Sequence, residues 1–152
     1  MKHTRELVGL LPYVMRDKVR YYLDYVNDRL IDLALESGLY SRVREIQKQV
    51  ELIFVLRLLY GYFVIGFQNY ERMLNYFETM EVDGFQIGSR VFSKRSPITS
   101  HWQQVANNIK RLVSETGTSQ YVKPTMSTDM VLRQIIQSLP DKTGEKQDRE
   151  QH

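Results

Sequence analysis

The stretch Leu52-Ile-Phe-Val-Leu-Arg-Leu-Leu-Tyr-Gly-Tyr-Phe-Val-Ile-Gly-Phe67 decides the fold. Arg57 is its one charged residue, and on a helix the apolar side chains fall on every side. A helix apolar all round is buried all round, by protein or by lipid. The run is sixteen residues long, whereas a bilayer core needs about twenty. Arg57 near its middle adds roughly 2.5–3.5 kcal/mol against insertion. The stretch therefore reads as the central helix of a bundle and not as a membrane span.

A chain of 152 residues has little material with which to wrap such a helix. Part of it is therefore expected in a subunit interface, with Arg57, Tyr60, Tyr62 and Phe63 as contact residues. Tyrosine suits this role because it buries a ring while keeping one polar end. No acid lies three or four residues from Arg57. A buried guanidinium needs a partner, so one is expected from another element, another chain or a bound anion.

Working outward, Val43, Ile46, Val50 and Ile53 carry the same helix back to Ser41, an expected N-cap. Before it, Val19, Leu23, Val26, Leu30 and Leu33 recur at steps of three and four. That spacing predicts a helix from after Pro12 to about Glu36, closed by Gly38. Phe67, Tyr70, Leu74 and Phe77 extend helix to about Met80, with Gly61 and Gly66 as points of kinking or division.

Asp83-Gly84 reads as a turn, and the β-formers around Gly88-Ser89 are compatible with a short β-hairpin near 85–92. A further helix starts at Ser96-Pro97 or Ser100, points Trp102, Val105, Ile109 and Leu112 inward, and ends by Gly117. Thr118–Thr125 reads as a loop, and Thr128–Leu139 as a last helix stopped by Pro140. The predicted class is all-α, a bundle of about five helices in a single domain over 1–140. Residues 141–152 contain no apolar side chain and are expected to form a disordered charged tail.

The composition, 42% hydrophobic and 26% charged, is that of a globular domain. With no cysteine, disulfides, thiolate metal sites and cysteine nucleophiles are excluded. Leu7–Leu11 is cut short by Pro12, too early for the apolar region of a signal peptide, and a cytoplasmic location is expected.

Charge is unevenly spread. Asp24, Asp28, Asp32 and Glu36 form a ladder at four-residue spacing, which destabilises a helix unless something positive relieves it. No histidine joins the ladder, so no metal is expected there. Conversely, Gly84 to Ser114 contains no acid but holds Arg90, Lys94, Arg95, Lys110 and Arg111. Those bases outnumber the net charge of +3, leaving the rest of the chain net negative. With Trp102, Gln103, Gln104, Asn107 and Asn108 among them, Arg90, Lys94, Arg95, Trp102, Lys110 and Arg111 suit a nucleic-acid or anion-binding surface. The competing reading docks this segment on the acidic ladder.

No phosphate-binding glycine loop, nucleophile elbow or zinc-protease motif occurs, and no cofactor is expected. Arg95 and His101 resemble the Arg-x(4–6)-His motif of HEPN-type ribonucleases, small helical bundles in which these side chains converge, usually across a dimer, to cleave RNA. The resemblance implies a ribonuclease and rests on those two residues. The leading expectation is a non-enzymatic, self-associating assembly or adaptor protein whose basic segment meets nucleic acid or an acidic partner. A dedicated nucleic-acid-binding protein and a small ribonuclease are the alternatives.

Overall fold

The computed structural model describes residues 2–78, 99–123 and 126–139. Every regular element among them is helical. In chain order these are α1 (Lys2–Val8), α2 (Tyr13–Glu36), a 3-10 turn (Tyr40–Arg42), α3 (Val43–Leu59), a π-helical segment (Tyr60–Ile65), α4 (Tyr70–Glu78), α5 (Thr99–Glu115), α6 (Ser119–Val122) and α7 (Thr128–Gln137). The short helix α1, the 3-10 turn and α6 are additions to the sequence reading, and α6 falls inside the expected loop. The expected hairpin at 85–92, the turn at Asp83-Gly84, the helix start at Ser96-Pro97 and the tail over 141–152 lie outside the described residues.

The fold is organised around α3. It touches α1, α2, α5 and α6, as well as the π-helical segment that continues it. Ile53, Phe54, Val55, Leu56, Arg57, Leu58 and Leu59 are each 0% exposed, so the helix is enclosed on all sides over two turns. One chain supplies that enclosure for residues 53–59, whereas Leu52, Tyr60, Tyr62, Val64 and Ile65 of the same apolar stretch are half-buried. No single helix among the described residues is long and apolar enough to cross a membrane.

The helix ends follow local chemistry. Leu39 N–H donates to Ala34 O at 2.8 Å across Gly38, whose φ of 74° is the left-handed value of a helix-closing cap. Ser127 caps α7, its hydroxyl accepting from Met130 N at 3.3 Å. On α2 the periodic positions Val19, Val26, Leu30 and Leu33 are buried, while Leu23 is half-buried at the edge.

Of the two glycines expected to interrupt the central stretch, only Gly66 divides it. Gly61 O accepts from both Gly66 N (2.9 Å) and Phe67 N (3.0 Å), widening the last turn to π geometry. Gly66 then takes φ 102°, where an L side chain is strained. The chain reverses by 111°, and α4 folds back on the helix that precedes it. Gly61 permits the close approach, since a Cβ there would lie 2.6 Å from Met73 Sδ and 3.0 Å from Phe77 Cε2. Asn69 starts α4 by accepting from Arg72 N at 2.8 Å.

Gly66→Ala should lower the unfolding free energy by about 1–2 kcal/mol through forced left-handed geometry. Denaturant unfolding checks this, and an unchanged midpoint would refute the assignment of the reversal to Gly66.

Candidate functional site

At the centre of the molecule sits a charge. Arg57 Nη1 donates to Tyr121 O at 2.7 Å and Nη2 donates to Met126 O. The guanidinium also lies over two rings, its carbon 4.6 Å from the Phe77 centroid and 5.3 Å from that of Phe54. Its partner is thus backbone from another element of the same chain. Nε has no hydrogen-bond partner among the described residues. Burial pushes the guanidinium below its ordinary pKa, and the nearby Tyr22 and Glu78 act in the opposite direction.

Tyr22 OH and Thr128 Oγ1 are 3.1 Å apart, and Thr128 donates its hydroxyl to Glu78. Tyr22, Thr128 and Glu78 therefore continue the polar centre from α2 through α7 to α4. Burial raises the Tyr22 phenol to about 12.

The other residues assigned to an interface are also largely internal. Phe63 is 6% exposed, and Tyr60 and Tyr62 are half-buried. Tyr62, Phe63 and Trp102 form a ring cluster with centroids 4.8–5.0 Å apart. Trp102 Nε1 donates to Phe63 O at 3.1 Å, fixing α5 on the π-helical segment. The sequence placed Trp102 both on the inner face of its helix and among nucleic-acid contacts. The structure shows the inner-face position, with the indole N–H donated to a carbonyl within the chain and the ring half-buried.

The exposed aromatic surface lies instead on α2. Tyr21 is 74% exposed, Tyr25 49% and Val14 70%. Spacings of three and four residues put them on one outward face with Lys18, Asp28 and Asp32. Lys18 Nζ meets Glu71 at 2.8 Å and holds that carboxyl below the usual carboxylate range. Tyr70 OH donates to Lys18 O at 3.1 Å, binding α4 to the flank of this face.

The acidic ladder is relieved from α2 itself and from α7. Arg29 forms a two-pronged contact with Asp129, Nε–Oδ1 3.0 Å and Nη2–Oδ2 2.6 Å, and reaches Asp32 at 3.5 Å. That hydrogen bonding holds the Asp129 carboxyl below its ordinary value. Arg133 approaches Glu36 at 3.9 Å. Of the basic segment, Lys110 and Arg111 are exposed on α5, and Arg111 contacts Asn108 (3.1 Å) and Glu115 (3.8 Å), not the ladder. Gln103, Gln104, Asn107 and Asn108 share that exposed side. Arg90, Lys94 and Arg95 lie outside the described residues. His101 is exposed near the start of α5, so its distance from Arg95 is not part of the described structure. No group of three or more His, Asp or Glu suited to a metal ion occurs among the described residues.

A feature the sequence reading passed over is a cavity of about 490 Å³ between α1, α2 and α3, lined by Arg5, Arg16 and Arg20. The only advance signal was the one-turn spacing of Arg16 and Arg20. The chain matches no model of a known protein family, no curated protein and no solved structure.

Arg57→Leu should leave two buried carbonyls unpaired and destabilise the fold by roughly 1–3 kcal/mol. Faster amide exchange over Thr118–Lys123 should accompany the loss; unchanged stability and exchange would show that the guanidinium clamps nothing. The raised Tyr22 pKa gives a second expectation. Unfolded tyrosine ionises near 10 and folded Tyr22 near 12, so stability should fall as pH rises through that window. A Tyr22→Phe variant should lose part of this alkaline sensitivity in denaturant titrations, and an identical pH profile would contradict it.

Proposed function

We propose that the protein is a non-enzymatic, self-associating helical assembly or adaptor protein that pairs through the outer face of α2. One observation carries the reading: Tyr21 and Tyr25 stand outward, 74% and 49% exposed, in the middle of a long helix. Large tyrosine rings are enriched where surfaces become buried between chains.

The charge order along this face suits a second copy of the same chain. Tyr21 and Tyr25 are equidistant from Leu23, and so are Lys18 and Asp28. A twofold axis at that level would set Tyr21 against the partner's Tyr25 and Lys18 against the partner's Asp28. Each charge pair would lie about 7.5 Å along the helix from the axis. A twofold contact requires such self-complementarity, because both copies present the same patch. This α2 face takes the role that the sequence gave to Arg57, Tyr60, Tyr62 and Phe63.

A second reading is favoured by the outer side of α5, where Gln104, Asn107, Asn108, Lys110 and Arg111 are all exposed. Amide and cationic side chains together suit a phosphate backbone. In an assembly protein this surface would face nucleic acid or an acidic partner.

Light scattering across a concentration series tests the first reading. The wild type should associate, and Tyr21→Glu with Tyr25→Glu should give a folded monomer. Asp28→Lys should weaken association several-fold. A wild type that stays monomeric at high concentration would overturn the proposal. If that monomer binds RNA or DNA oligomers with a salt dependence reduced by Lys110→Ala and Arg111→Ala, the second reading replaces it.

A further inference from the structure

The cavity between α1, α2 and α3 brings together cations from two parts of the sequence. Arg5 comes from α1, while Arg16 and Arg20 stand one turn apart on α2. Arg16 is held in place, its Nε donating to Leu11 O at 3.1 Å and its Nη2 to Gly9 O at 2.8 Å. Arg20 has Asp17 and Asp24 within helical reach and forms an ion pair with neither. It lines the cavity instead. Like charges one turn apart repel, and Glu51 is the one acid on the cavity wall among the described residues.

A second observation points to the same place. Thr4 also lines the cavity; it is 4% exposed, and its hydroxyl has no hydrogen-bond partner among the described residues. A buried hydroxyl in a folded protein ordinarily has a partner. Around these polar groups the wall is completed by apolar side chains, among them Val19 and Leu23.

We infer that this cavity is a binding site for a small soluble phosphomonoester with an apolar or ring-bearing body. Among the described residues three guanidiniums meet one carboxylate on this wall, an excess of positive charge that suits a phosphate better than a carboxylate, with Arg5 and Arg20 free to donate to it. Guanidinium geometry matches phosphate oxygens with paired N–H donors. A volume of about 490 Å³ exceeds the needs of phosphate alone and lies in the range of small-molecule sites. The body of the ligand would lie along Val19 and Leu23, and Glu51 would accept hydrogen bonds from its hydroxyl or amino groups. This site is separate from the α2 face proposed for self-association, which points to the other side of that helix.

Calorimetric titration with phenyl phosphate tests the inference, with inorganic phosphate and benzoate as comparison probes. Phenyl phosphate should bind most tightly. Arg5→Gln and Arg20→Gln should each weaken it by roughly tenfold, the loss expected for a charge-assisted contact. Lys110→Gln, on the distant α5 surface, should leave it unchanged. No binding of phenyl phosphate at low ionic strength would overturn the site, as would equal weakening by Arg20→Gln and Lys110→Gln. Sedimentation with phosphatidic-acid vesicles, without binding of the soluble ester, would move the phosphate to a lipid headgroup and overturn the soluble assignment. Circular dichroism of each variant separates these results from misfolding.

Discussion

The fold depends on the burial of one guanidinium. Arg57 sits at the middle of the most apolar helix, yet it is fully enclosed. Such a charge is tolerable only where backbone oxygens and ring faces replace the water it has lost. Tyr121 and Met126 provide the carbonyls, and Phe54 and Phe77 the rings. These contacts fix where α6 and the segment leading into α7 meet α3, and they place α4 through Phe77. Removing the charge from the sequence would leave a more hydrophobic helix with no instruction about which segment to receive.

Enclosure of α3 changes where the proposed partner contacts fall. When the central helix is wrapped by α1, α2, α5 and α6, the tyrosines of the π-helical segment that continues it turn toward internal packing. Tyr62 serves the Trp102 cluster, and Tyr60 is half-buried. The 24-residue α2 wraps the core with one face only, so its opposite face retains rings that the core does not use. The outward position of Tyr21 and Tyr25 therefore follows from the depth at which α3 is buried. The cationic cavity has a related origin, since α1 packs on α3 and adds Arg5 to arginines already one turn apart on α2.

Much of the architecture was legible from spacing. The α2 core positions, the inward face of α3, the cap at Gly38 and the end of α5 at Gly117 each follow from helical periodicity or from the left-handed φ glycine permits. The partner of Arg57 was not legible, because a main-chain carbonyl leaves no mark on residue identity. Nor was the enclosure of α3, which depends on a 111° reversal whose angle no local propensity specifies. Trp102 was readable as an inner-face residue, but the carbonyl of Phe63 that receives its indole N–H was not, since main chain leaves no mark on residue identity. The cavity escaped notice because Arg5 and Arg20 become neighbours only after folding.

The clamp on Arg57 spans 64 residues to Tyr121 and 69 to Met126. A ribosome must therefore deliver most of the chain before the guanidinium meets its acceptors. Throughout that interval the longest greasy segment of the nascent polypeptide carries a hydrated cation at its midpoint. Charges flanking or interrupting such segments discourage chains from sticking to one another. The side chain that locks the finished fold is thus, in the unfinished chain, a charge of the kind that keeps apolar segments apart.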